Sequence, residues 1–323
     1  MWLLRSQLGL VYFFGGLAKL NGDWLQGEPI RDWLARGSAI PIFGSLLQQE
    51  WMVWFFAYGG LLFDLLIAPA LLWKRTRVWA FALAVLFHVV NSVVFQIGIF
   101  PWFMIAATTL FFSPDWPRRW LKQRTQGVEN LTATPGPSPS AQRVTAALLG
   151  IYLAFQVIVP LRHWLYPGNV NWTEEGHRFS WRMKLRDKSA EAQFYVTDTA
   201  TGQTQLANVG QHLNVNQRTE MVTRPDMILQ FAHHLGAEAQ RNGNAGVEVR
   251  AFVRASLNGR AHQMLVDPSV NLWAEERTLG SAKWIMPLAE PLRRKAQPAR
   301  DRSGQSPGSI PIPNHDSTNS LPR

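Results

Sequence analysis

Cysteine is absent from the 323 residues, so disulfides, thiolate nucleophiles, thiolate zinc sites and cysteine-held iron–sulfur clusters are excluded, and the compartment stays open. Acidic residues are scarce: 22 Asp and Glu against 32 Lys and Arg leave a net charge of +10. That excess suits nucleic acid or anionic lipid, and its placement, below, decides for lipid. Phosphate-binding and dinucleotide-binding glycine fingerprints are missing too. His233 and His234 are neighbours that point apart on a helix, and there is no His-x-x-x-His or comparable ligand set. No protein-bound metal is expected.

What is present is a chain of two characters. It is 47% hydrophobic, yet its mean hydropathy is −0.08, as when a membrane half is joined to a water-soluble half. Five apolar stretches, 2–20, 51–73, 77–97, 99–113 and 144–161, each approach the ~20 residues that cross a bilayer. The first places Arg5 ahead of an apolar core as a signal peptide does. No A-x-A-like cleavage site follows it, so it reads as a retained helix. The links holding Lys74, Arg75 and Arg77 and, later, Arg118, Arg119, Lys122 and Arg124 are basic, whereas 21–50 is mildly acidic. Five spans then put Met1 and both basic links in the cytoplasm, with everything after residue 161 outside. Segment 21–50, with Trp24, Trp33, Phe43 and Trp51 among glycines, reads as an interfacial or re-entrant lid. Residues 125–142, rich in Pro, Ser, Thr and Gly, read as a flexible cytoplasmic link.

Polar residues within the spans are few. Asp64 lies near mid-span, and His88 and Asn91 share a face at i, i+3, with Gln96 further along. An ionisable group at such depth costs about 2.5–3.5 kcal/mol on insertion scales, so it faces protein or a wet cavity. Two readings stand: interhelical glue, or the lining of a pocket. Gly15-Gly16 and Gly59-Gly60 likewise suit close helix packing or a flat ligand. Lys19 ends the first apolar run just before a turn. It is either a snorkelling anchor or a general base whose amine is kept from bulk water.

Beyond residue 161 an aromatic, turn-rich connector leads into a soluble domain, 162–290. Alternation over Phe179–Arg186 predicts a strand, and Gln193–Val196 with Thr204–Ala207 a hairpin. A helix opens at Pro225-Asp226 and closes near Asn242-Gly243; Val247–Ala255 and Arg260–Val266 form a second hairpin about Asn258-Gly259. His163 and His177 read as surface histidines, and the sequons at Asn130 and Asn171 as chance matches. From 291 to 323 the composition predicts a disordered tail. The expected fold is a multi-pass α-helical membrane domain, 1–161, followed by a small α+β extracytoplasmic domain with a mainly antiparallel sheet.

Four blocks carry a resemblance: Tyr12–Trp24, Gly59–Asp64, Phe87–Phe100 and Phe112–Pro117. With His163–Met183 and the sheet domain to about residue 290, they resemble the vitamin K-dependent gamma-carboxylase family. The resemblance implies a membrane enzyme that turns protein glutamate into gamma-carboxyglutamate with vitamin K hydroquinone, oxygen and carbon dioxide, releasing vitamin K epoxide. The implied reaction class is that of the carbon–carbon lyases. The resemblance places the catalytic base at Lys19 and a second catalytic residue at His88. It puts quinone contacts at Asn91, Asp64 and Gln96, and receipt of the glutamate side chain near Leu165, Tyr166 and Trp172. The implied partners are the bilayer and a glutamate-containing protein or peptide, not nucleic acid. The family's upstream helices, one with a further histidine, and the carboxy-terminal extension of its animal members have no counterpart here. The alternative expectation is therefore a truncated or inactive relative that binds quinone or assists assembly. A peripheral binder of anionic lipid or nucleic acid, driven by net charge, is the third.

Overall fold

A computed structural model describes residues 1–37, 44–95, 97–113, 116 and 138–292. The chain opens with α1 (Trp2–Lys19), followed by three short helices, α2 (Gly22–Leu25), α3 (Ile30–Arg36) and α4 (Gly44–Leu47). Then come α5 (Glu50–Leu72), α6 (Arg77–Phe95) and α7 (Phe100–Thr108), the last continued by a 3₁₀ turn, Thr109–Phe111. The helix α8 (Pro139–Ile158) runs into a 3₁₀ segment, Val159–Leu165.

Two arginines close helix ends in the bundle. The Arg77 guanidinium donates to Leu71 O at 2.8 Å and Leu72 O at 3.0 Å, so the basic link caps the C-terminus of α5. Arg5 does the same across the bundle, donating to Leu110 O at 2.8 Å and Phe112 O at 3.0 Å. α1 and α5 approach closely because Gly16 has no side chain: a Cβ there would meet Leu65 Cδ2 at 2.7 Å. The close-packing reading of the glycine pairs thus applies to Gly16, whereas Gly15 and Gly60 border a cavity.

Three helices, Glu50–Leu72, Arg77–Phe95 and Pro139–Leu165, are long and apolar enough to cross a membrane. The stretches at 2–20 and 99–113 form α1, less apolar because it carries Arg5, Gln7 and Lys19, and the shorter apolar helix Phe100–Phe111. The flexible link expected over 125–142 is corrected at its end. Pro139 to Gln142 are already helical, with Ser138 as N-cap and Pro at the first position. Residues 125–137 and the tail from 293 onward lie outside the described residues. The expected lid over 21–50 is the α2–α4 group: Trp24, Ile30, Leu34 and Leu47 are buried, and Trp24 Nε1 donates to Ala57 O at 2.8 Å.

The second domain is a four-stranded antiparallel sheet in the order β2-β1-β3-β4, built from β1 (Lys188–Asp198), β2 (Thr204–Leu206), β3 (Val247–Leu257) and β4 (Gln263–Met264). Ahead of it is a one-turn helix, α9 (Val170–Thr173). Between β2 and β3 stand α10 (Val209–His212), α11 (Val215–Val222), opened by an Asn214/Gln217 capping box, and α12 (Pro225–Arg241). Val247, Val249, Ala251, Val253, Ala255 and Leu257 alternate inward along β3 and meet Ile228, Phe231, Ala232 and Leu235 of α12. The Asn258-Gly259 turn has φ of 51° and 75°, as the hairpin requires.

The strand expected over Phe179–Arg186 is not formed. Phe179, Trp181 and Lys184 have φ of 63°, 55° and 49°, left-handed values incompatible with a ladder, and Met183 N–H turns back to Trp181 O at 3.0 Å. Trp181 and Leu185 instead pack against the helical bundle, and Arg182, Met183, Lys184 and Arg186 border a cavity there.

One buried ion pair joins the domains. Asp23 Oδ2 and Oδ1 each accept from the Arg260 guanidinium at 2.7 Å, and Asp23 Oδ2 also accepts from Asn258 Nδ2 at 2.7 Å. Asp23 is 7% exposed and Arg260 9%. Asp23→Ala leaves the guanidinium buried without its counter-ion, and such breaks cost about 3–5 kcal/mol. The expected result is a clear drop in the thermal midpoint of the detergent-solubilised protein, larger than for Arg36→Ala at the exposed Arg36–Asp187 pair. Equal effects at the two sites would contradict this.

Candidate functional site

Lys19 is the last residue of α1, and its ammonium is fully engaged. Nζ lies 2.5 Å from Asp64 Oδ2, donates to Gly15 O at 3.1 Å, and stands 5.2 Å from the centroid of the Trp24 ring. Both side chains of the Lys19–Asp64 pair are 12% exposed. The two residues are 45 positions apart and meet because α1 and α5 cross at their glycines. Asp64, expected among quinone contacts, is first the partner of Lys19.

His88, on α6, is 3% exposed. Its Nε2 lies 2.9 Å from Tyr12 Oη, which lies 3.2 Å from Thr108 Oγ1, and the Thr108 hydroxyl donates to Met104 O at 2.6 Å. The directions follow from the end of the chain. Thr108 has spent its proton on a carbonyl, so Tyr12 donates to Thr108 and accepts from His88 Nε2–H. A neutral His88 then keeps Nδ1 as its acceptor nitrogen.

Lys19, Asp64, His88 and Asn91 all border one cavity of about 560 Å³. Its side walls are aromatic: Trp33, Phe56, Phe87 and Phe95, with Phe87 stacked on Phe63 at 3.7 Å. Gly15 and Gly60 keep the floor open beside Lys19. Gln96, the remaining expected quinone contact, lies outside the described residues.

The roof comes from the segment misread as a strand. His177, Trp181, Arg182, Met183, Lys184 and Arg186 border the same cavity. Arg186 Nη2 pairs with Glu174 Oε2 at 3.0 Å, and Arg182 reaches Asn171 Oδ1 at 3.3 Å. Lys184 Nζ stands 5.4 Å from the centre of the Trp33 ring. Two buried donors, Trp181 Nε1 and Arg186 Nη1, have no hydrogen-bond partner among the described residues. An acceptor-bearing ligand would satisfy them. Burial beside Arg186 lowers Arg182 to about 10, so it stays cationic at neutral pH. Burial, then the surrounding arginines led by Arg186, push His177 down to about 3, so it stays neutral there. His177, expected at the surface, is part of the wall. The sequence signal for this roof was the density of cations in Arg182-Met183-Lys184-Leu185-Arg186, which the strand reading passed over.

The three residues expected to receive glutamate stand elsewhere. Leu165 is 84% exposed at the end of the 3₁₀ segment. Tyr166 donates its hydroxyl to Leu279 O at 2.7 Å and borders a separate cavity of about 650 Å³ with Arg162, Glu174 and Asp226. Trp172 is wholly buried in the core of the sheet domain, where Nε1 donates to Met286 O at 2.7 Å. None of the three borders the Lys19 cavity.

Comparison with known families follows the same division of the chain. Residues 1–116 match the HTTM domain, and residues 141–291 match the lumenal domain of vitamin K-dependent gamma-carboxylase. No solved structure matches. The two matches adjoin in the order in which the helical bundle and the sheet domain follow one another, so the protein is a membrane protein with a lumenal-type domain. These two matches support a place for the chain beside the vitamin K-dependent gamma-carboxylases.

Proposed function

We propose that this protein carboxylates glutamate side chains of a peptide or protein at the carbon next to the carboxylate, in a reaction coupled to oxidation of vitamin K hydroquinone. The observation that carries the proposal is the convergence of Lys19, Asp64, His88 and Asn91 on one cavity closed by a basic roof with two unsatisfied donors. A volume of about 560 Å³ is within the range of small-molecule sites. Its aromatic walls suit a bicyclic quinol, and its polar floor suits the quinol's hydroxyls.

With oxygen, the reduced quinone supplies a base strong enough to take a glutamate γ-proton, and it leaves as the epoxide. The chain's own residues prepare and protect that step. The Lys19–Asp64 pair receives the proton of the quinol hydroxyl. His88, fixed by Tyr12 and Thr108, offers Nδ1 to a hydroxyl. Trp181 and Arg186 hold acceptor oxygens, those of the glutamate carboxylate among them, and Arg182 adds positive charge beside it. The carbanion left by proton removal forms a carbon–carbon bond to carbon dioxide. The roof and the Trp24–Trp33 side keep out the bulk water that would quench it.

This reading puts the Lys19 end of α1 and the sheet domain on the extracytoplasmic side and the Lys74–Arg77 link opposite. Because the chain has no cysteine, single Cys reporters test it directly. Thr201→Cys, in the exposed β1–β2 turn, is expected to react with an impermeant maleimide on intact cells, and Arg75→Cys only after lysis. The reverse pattern would invert the assignment.

A second reading has its own support. The short contact between Lys19 Nζ and Asp64 suits an ion pair that keeps its proton, as in a relative that binds quinone or assists assembly without turnover. Activity separates the two. In membranes bearing the protein, quinol-dependent fixation of labelled carbon dioxide into glutamate peptides, with matching epoxide, is expected, and Lys19→Ala is expected to lower both at least ~10²-fold. Fixation that persists in Lys19→Ala would remove Lys19 from the mechanism; no epoxide with the unaltered protein would favour the binding reading. Arg186→Met is expected to raise KM for the glutamate peptide about tenfold or more while leaving KM for the quinol within about twofold, since a charge-assisted hydrogen bond is worth ~1.5–3 kcal/mol. A rise confined to the quinol would reassign Arg186.

A further inference from the structure

We propose that the sheet domain binds a divalent metal ion of the zinc class at His212, His234 and Glu238, independently of the Lys19 cavity. His234 and Glu238 lie one turn apart on α12 and face His212, the last residue of α10. One nitrogen from each imidazole and one carboxylate oxygen lie within 4.8 Å of one another. The pair His234 Nε2 and His212 Nδ1 is 3.3 Å apart, and His212 Nε2 is 3.7 Å from Glu238 Oε2.

The separation of the two imidazole nitrogens matches what a tetrahedral ion needs. Metal–nitrogen bonds of about 2.0–2.1 Å put neighbouring donors about 3.3 Å apart, which is the spacing the two imidazoles already have. Glu238 contacts the other nitrogen of His212 here, and a rotation of its side chain brings the carboxylate to the ion from within the 4.8 Å span of the cluster. The rings are held by core aromatics rather than by one another alone: His212 meets Phe231 edge-on at 5.9 Å, His234 stacks on it at 6.1 Å, and Phe231 packs against Phe194 at 4.9 Å. Such fixed rings lose little freedom on binding an ion.

Charge points the same way. His212 and Glu238 border a cavity of about 430 Å³ with Asp198, Gln203, Gln211 and Asn242, and its described lining holds two carboxylates and no Lys or Arg. In a chain of net charge +10, this is a place where a cation is not repelled. Three protein donors leave a fourth position toward the cavity for water or a ligand oxygen. The spacing rule applied to the sequence looked for a second histidine four residues on; the residue there is Glu238, and the third donor comes from 22 residues earlier.

The test uses the full chain, purified in detergent and stripped of metal with a chelator. Zn²⁺ is titrated against a chromophoric competitor, and the thermal midpoint is followed with and without the ion. One saturable equivalent and a raised midpoint are expected. His234→Gln, at an exposed position, and Glu238→Gln are each expected to weaken binding about tenfold or more. His262→Ala, an exposed histidine outside the cluster, is expected to leave it unchanged. Absence of a saturable equivalent, or equal affinity in His234→Gln and the unaltered protein, would overturn the site and reduce the cluster to a hydrogen-bonded histidine pair. Neither outcome bears on carbon dioxide fixation.

Discussion

The buried Asp23–Arg260 pair sets the register between the two halves of the cavity. Asp23 is four residues after Lys19. Arg260 is two residues after Asn258, whose side chain accepts from Asp187 N–H at 2.8 Å and whose own N–H donates to Asp187 O at 2.8 Å. Asp187 directly follows Arg186. A short run of polar contacts therefore connects the floor lysine to the roof arginine through α2 and the β3–β4 turn. A buried ion pair adds little net stability over an apolar replacement, since desolvation opposes its attraction. Its effect here is geometric: the bidentate contact accepts one orientation of the turn against α2, and that orientation fixes where Arg182 and Arg186 stand above Lys19.

Within the bundle Tyr12, Lys19, Asp64, His88 and Thr108 are paired with one another across helices. Tyr12 joins α1 to His88 of α6 and Thr108 of α7, and Lys19 joins α1 to α5. Unpaired, any of these would cost about 1–3 kcal/mol or more. Paired, they tie four helices around one space. The glue and pocket readings of these residues therefore describe one arrangement: the contacts that join the helices also border the cavity. In the roof, Trp181 Nε1 and Arg186 Nη1 are left without partners on the side from which a substrate carboxylate would enter.

Features set by local chemistry were legible in the sequence. The apolar face of α12, the Asn258-Gly259 turn and the long apolar runs of α5, α6 and α8 each follow from period, turn residue or length. What was not legible depends on contacts between distant segments. The alternation of Phe179–Arg186 imitates a strand, yet its backbone turns through left-handed residues because Trp181, Arg182 and Arg186 must face the bundle. Trp172, which the family resemblance put near the glutamate side chain, is buried in a core that becomes evident only once the sheet domain closes over it. Asp64 was singled out for its depth in a span, but its partner, Lys19, is set by a helix crossing that no local pattern encodes. Likewise His212 joins His234 only through the packing of α10 on α12.

The closeness of Lys19 to Asp64 appears at first to count against a lysine base, because a carboxylate beside an amine favours the ammonium. The pair behaves differently from a lone lysine in one respect. Its net charge is zero whether the proton sits on nitrogen or on oxygen, so moving it within the pair does not bring a new charge into the low-dielectric bundle. A lone ammonium giving its proton to solvent would need a path for a charge through that bundle. Lys19 Nζ is hydrogen-bonded to Asp64 and borders the same cavity as His88 and Asn91. A quinol hydroxyl that gives its proton to this amine leaves a quinolate beside a new ammonium, which stabilises it by direct attraction in a site with little screening. The pair therefore suits Lys19 to take up a proton without opening the site to water, which the chemistry proposed for this cavity requires.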